Sequence, residues 1–124
     1  MQRNQLAAYL VGAAVAGSIL VFPYAVRPLA ALIVPDFRAV QVPFFLLPVV
    51  WGLWNALHAG AAPTTDLGAW GAGLGVALGI LLNVFLYVEG TWFAAAALVP
   101  IFLAFVYLLL WRFVVGPLNA TLGV

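Results

Sequence analysis

The apolar positions of this 124-residue chain fall into long runs rather than alternating faces, and few breakers interrupt them. A helix that crosses hydrocarbon needs roughly 20 mostly apolar residues. Runs of that length predict four helices, over about 5–26, 39–58, 67–88 and 92–111. Pro23 falls in the last turn of the first. The connection after it holds Leu29-Ala30-Ala31-Leu32-Ile33-Val34, too short to cross alone and too apolar for open water. The pattern gives 29–34 to the interface, to a bent extension of the first helix, or to a re-entrant piece.

In the second run Pro43 suits a first helical turn, while Pro48 predicts a kink because proline removes a backbone donor. Residues 59–66, with Gly60 and Pro63-Thr64-Thr65, form the clearest loop. Thr65 or Asp66 is placed to cap the third helix. Glu89-Gly90 predicts a tight turn with Thr91 as the next cap, so the third and fourth helices are antiparallel neighbours. The expected fold class is an all-α integral membrane protein: four transmembrane helices in one compact bundle over 1–124.

Composition supports the same solvent. Hydrophobic residues make up 68% and charged residues 6%, against roughly 45–50% and about 25% in soluble domains. A water-borne fold of this size cannot hide that much apolar surface. Arg3 followed by an apolar run to Ala14-Val15-Ala16 mimics a cleavable signal. The run continues through Ile19-Leu20-Val21-Phe22, which predicts a retained helix. Trp70, Trp92 and Trp111, with Tyr24 and Tyr87, fall at span ends as an interfacial belt does, and Trp51 and Trp54 lie deeper.

Charge changes the picture little. A net charge of +1 with no basic cluster predicts no nucleic-acid partner. With four spans, Arg3 and Arg112 share one side and Arg27 and Arg38 the other, so the arginine count sets no orientation. Such a tie fits a topology fixed by a partner, or dual insertion as antiparallel dimers. The expected location is a multi-pass position in a membrane, taken as a prokaryotic cytoplasmic one.

The strongest local signal lies in the third helix. Gly71, Gly75 and Gly79 recur every four residues, and Gly68 extends the stripe. Residues four apart share a helix face, and glycines there let a second backbone approach closely. The same stride reaches Asn83 and then Tyr87. Each glycine costs a helix roughly 1 kcal/mol against alanine, so the stripe implies close packing. The line Ala8, Gly12 and Ala16 in the first helix offers a mate. Packing within the bundle, between identical subunits, or against another protein all satisfy the motif.

Polar side chains are few. Trp51, Asn55 and His58 share one face of the second helix, near the side that carries the termini, and Asn83 lies toward the other side. Glu89 shares its side with Arg27 and Arg38, and Asp66 shares its side with His58 and Arg112, so interfacial ion pairs explain the charges. Transporters bury ionisable groups near mid-membrane; here none is placed there. The only serine, Ser18, lies in an apolar span, the only histidine is His58, and Asp36 and Asp66 belong to opposite sides. There is no cysteine. Neither a nucleophile with its base, a carboxylate dyad, nor converging metal ligands is formed. Asn119-Ala120-Thr121 matches a glycosylation sequon and is taken as chance.

These features lead to a non-catalytic membrane subunit or self-assembling scaffold that packs through its glycine face, without cofactor or metal. Its expected partners are the lipid bilayer and further copies or other membrane subunits. The alternative is a small oligomeric channel or transporter for an ion or small solute, with Asn55, His58, Asn83, Tyr87 and Glu89 along its route. A third possibility is a lipid-modifying subunit whose polar ends meet a headgroup.

Overall fold

The computed structural model describes residues 3–33, 44–88, 90 and 92–124. Every regular element among them is helical. Helix α1 (Arg3–Ile33) is followed by a 3-10 turn (Phe44–Leu46) and α2 (Leu47–Ala61), then by α3 (Leu67–Val88). A second 3-10 stretch (Ala94–Leu98), α4 (Val99–Leu110), a π turn (Trp111–Val115) and α5 (Gly116–Thr121) follow one another as one rod. Three segments are long and apolar enough to cross a membrane: Asn4–Val21, Leu67–Val88 and Ala94–Thr121.

Helix α1 has 31 residues, about 46 Å of rise. Residues 29–33 continue it, so of the three assignments for that stretch the structure takes the extension. The expected second span begins at 39, and its first five residues lie outside the described ones. Pro48 does not kink that helix. The α-helical part starts at Leu47, so Pro48 sits in its first turn, where a missing N–H breaks no helical bond. Helix α3 has the boundaries that its apolar run predicts.

The last rod runs ten residues past the expected end at 111. Arg112 faces outward, and the chain stays helical through Phe113, Val114 and Val115. Pro117 cannot donate to the carbonyl four residues back, and the wide π turn immediately precedes it, closed by Gly116 N–H on the Trp111 carbonyl.

The rods pair as two antiparallel hairpins. On α1 and α2, Gln5 meets Gly60, Tyr9 meets Gly52, and Gly12 meets Trp51. A Cβ at Gly12 would lie 2.8 Å from the Trp51 carbonyl carbon, a distance that real side chains do not reach. On α3 and α4, Gly71 faces Tyr107 and Trp111, Gly75 faces Leu103 and Ala104, and Gly79 faces Pro100. A Cβ at Gly75 would lie 2.6 Å from the Leu103 carbonyl carbon. The mate of the glycine stripe is therefore α4, not the Ala8–Gly12–Ala16 line of α1. That line faces α2 instead, where Gly52 supplies the reciprocal gap.

The hairpins join through a core of Val11, Val15, Ala16, Trp51, Leu74, Tyr107, Trp111 and Val115. Trp111 is fully buried there. It is not part of an interfacial belt, because the helix continues past it and its ring fills the gap left by Gly71. Most other large apolar side chains face outward: Leu6 and Leu10, Leu53 and Leu57, Ile80, Leu81 and Val84, and Ile101, Phe102, Phe105 and Phe113.

Candidate functional site

The polar groups gather at the end of the bundle where residues 62–66 join α2 to α3. Ala62 N–H bonds back to the His58 carbonyl, and Thr65 closes on the Ala62 carbonyl through both its N–H (3.0 Å) and its Oγ1 (2.7 Å). His58 Nε2 lies 3.1 Å from the Thr65 carbonyl oxygen. A carbonyl only accepts, so Nε2 carries the proton and, in the neutral ring, Nδ1 keeps the lone pair. The His58 ring centre stands 5.7 Å from that of Trp70. Its buried position comes from the helical offset that puts Trp51, Asn55 and His58 on one face.

Asp66 rather than Thr65 caps α3: its Oδ2 accepts the Ala69 N–H at 2.8 Å. Arg112 Nη2 donates to both carboxylate oxygens, at 3.0 and 3.2 Å, with both side chains about half exposed. The Ala69 amide, with the Arg112 guanidinium beside it, holds the Asp66 carboxyl below its ordinary value of 3.8. Gly68 leaves room for that arginine, 3.3 Å from where a Cβ would stand.

Further in, Asn55 is completely buried. Its Nδ2 donates to the Ala8 carbonyl (2.8 Å) and to Asn119 Oδ1 (2.9 Å), and Asn119 Nδ2 returns a bond to Asn55 Oδ1 (3.0 Å). Three helices, α1, α2 and α5, are thereby tied at one point. Asn119 is a buried polar position whose partner the sequence pattern did not reveal. Its sequon suggested only a chance match, whereas burial and pairing give the amide a structural partner 64 residues away.

A second reciprocal tie links α2 to α3: Trp54 Nε1 donates to the Trp70 carbonyl (2.9 Å), and Trp70 Nε1 to the Trp54 carbonyl (3.1 Å). Their rings lie 5.0 Å apart. Deeper still, Trp51 Nε1 donates to Tyr107 Oη at 3.0 Å, while Trp51 packs edge-on to Tyr107 and Trp111, 4.9 Å from each. The Trp111 indole N–H is buried and has no acceptor among the described residues.

Comparison with family models, with curated proteins and with solved structures gives no match.

Asn83 belongs to the opposite end. It lies thirteen residues beyond Trp70 on α3, about 20 Å along the axis. Its Nδ2 donates to the Gly79 and Ala96 carbonyls (3.1 and 2.8 Å), and its Oδ1 accepts from Trp92 Nε1 at 2.9 Å. That knot turns the chain from α3 into the last rod. Tyr87, expected on the same face, is largely exposed. Glu89, and with it the expected ion pairs to Arg27 and Arg38, lies outside the described residues. Ser18 bonds its own helix at the Ala14 carbonyl (2.9 Å). The structure thus brings Asn55 and His58 to one end and Asn83 to the other, with Leu74 and Leu78 between them on α3.

Proposed function

We propose that this chain is a membrane-embedded, non-catalytic subunit or scaffold that works by packing against other membrane components. The observation that carries the proposal is how little of its apolar helices the chain covers by itself. Only 17% of an apolar 18-residue stretch within Ala94–Thr121 is buried, and only 28% of the corresponding stretch in each of the other two segments. Apolar surface on that scale requires an apolar surrounding, which lipid and neighbouring helices supply. The interior polar groups support the same view. Asn55 with Asn119, Trp54 with Trp70, and Asn83 with Trp92 bind one another, so the described side chains form ties rather than an arrangement poised on a substrate.

The glycine stripe is taken up by α4 of the same chain, so assembly with a second copy or a different subunit uses the outward apolar faces. A channel has less in its favour, because the polar groups of the two ends are separated by Leu74, Leu78 and the aromatic core.

The decisive measurement is isolation from native membranes in a mild detergent, with the mass of the intact particle determined. A complex of defined stoichiometry is expected. A chain recovered only as a lone monomer, or recovered in the aqueous fraction, contradicts the proposal.

A further inference from the structure

A cavity of about 240 Å³ opens at the 62–66 end of the bundle, lined on its polar side by Asn4, His58 and Asn119, with Pro63, Leu67 and Gly116 among its walls. Its volume far exceeds the ~30 Å³ that one water occupies in the liquid. Helices α1, α2, α3 and α5 and the connecting loop all contribute to it. No arginine, aspartate or glutamate is among its described lining residues. Asp66, next in sequence to the lining residue Leu67, is bound to Arg112.

The uncharged side chains described in the lining set the chemistry of what fits. His58 Nε2 is committed to the Thr65 carbonyl, which leaves the Nδ1 lone pair of the neutral ring as an acceptor for an O–H or N–H. The Asn119 amide uses one N–H and its oxygen on Asn55 and has a second N–H to offer. Asn4 adds an amide at the exposed rim. The described side chains therefore offer both donors and acceptors, the Asn4 amide supplying each, with no charged side chain among them, which suits a group that both donates and accepts, the property of a hydroxyl. Depth agrees with this. Asn4 and Leu67 begin two of the apolar segments, and Asn119 lies near the end of the third. If the chain spans a bilayer as proposed above, the cavity opens at headgroup level.

We propose that the cavity framed by Asn4, His58 and Asn119 binds a hydroxyl-bearing group, the polyol headgroup of a lipid or a free polyol of the same chemistry. The placement at headgroup level rests on the membrane reading; the match of donors and acceptors does not.

His58 is the only histidine, so ¹⁵N-labelled imidazole reports on this cavity alone. Spectra of the full chain are compared in nanodiscs of phosphatidylglycerol, of phosphatidylserine, which is anionic but lacks a free hydroxyl, and of phosphatidylcholine. Free glycerol is titrated separately in detergent. A shift of the Nδ1 signal with phosphatidylglycerol only identifies a lipid headgroup as the source; a saturable shift with glycerol identifies a free polyol; either supports the site. Equal shifts in both anionic lipids mean surface charge and overturn it, as does an unchanged signal in every arm. Asn4→Ala leaves the Asn55–Asn119 pair intact and is expected to weaken binding about ten-fold, the effect of one lost hydrogen bond. Unchanged affinity overturns the assignment. Failure of the chain to enter nanodiscs counts against the membrane reading, while the glycerol titration still decides the site.

Discussion

Asn55 and Asn119 face each other as two buried amides that exchange a pair of hydrogen bonds, 2.9 and 3.0 Å long, across 64 residues of sequence. The pair closes the first hairpin onto the end of the last rod. Asn55 is fully buried and Asn119 nearly so, and each takes hydrogen bonds from the other that little or no water can replace.

That dependence predicts a particular pattern of losses. Asn55→Ala or Asn119→Ala leaves the remaining amide short of a partner and is expected to cost about 1–2 kcal/mol. The double substitution removes both polar groups together and should cost less than the sum of the singles. Unfolding of the four proteins in a common detergent supplies the cycle. Strict additivity would mean that the two amides do not act as a pair.

Glycines on the two hairpins should respond in opposite ways. Gly75→Leu drives a side chain into the Leu103 backbone and is expected to destabilise by about 1–3 kcal/mol, separating α3 from α4. At Gly17 a Cβ would meet none of the described residues within 4 Å. There Gly17→Ala should gain up to about 1 kcal/mol from helix propensity alone. A loss at Gly17 would instead reveal a neighbouring helix seated on α1. Thermal unfolding of both variants separates these outcomes.

The aromatic core offers a contrast between two tryptophans. Trp51→Phe removes the bond to Tyr107 and the edge contacts that hold the hairpins together. Trp111→Phe also loses ring volume, but it removes a buried N–H that has no acceptor among the described residues, whose burial costs roughly 1–3 kcal/mol. Trp111→Phe should therefore be the milder change by at least about 1 kcal/mol. Equal losses in unfolding experiments would show that the Trp111 indole is satisfied after all.

Much of this arrangement can be read from sequence because lipid-like runs and backbone breakers act locally. The α3 boundaries follow from an apolar run between Asp66 and Glu89, and the close approach along its face follows from glycines at a stride of four. The identity of the mate does not follow. Gly12 and Ala16 on α1 present the same small-residue line as a true partner would, and only tertiary geometry assigns them to α2. Pro48 misled because a proline reads as an interruption when its position along the helix is unknown. A proline is harmless in a first turn. The Asn55–Asn119 tie left no periodic signal, since one residue on each of two helices has no pattern to repeat.

The Asp66 cap gives a prediction in pH. Its carboxyl is held below 3.8 in the fold by the Ala69 amide first and Arg112 second. A carboxyl whose folded value is depressed contributes stability that is fully present above the unfolded value. That contribution fades as pH falls below 3.8 and is gone once the lower folded value is passed. Asp66→Asn retains an oxygen that accepts the cap bond but loses the charge for Arg112. The wild-type chain should therefore unfold at a higher temperature than Asp66→Asn at pH 7, and the gap should close on acidification below the ordinary carboxylate range. Both side chains at the ion pair are half exposed, so added salt should narrow the gap at pH 7 as well. A gap that stays constant from pH 7 to strong acid would show that the carboxylate charge at position 66 does not contribute to holding α3 against the last rod.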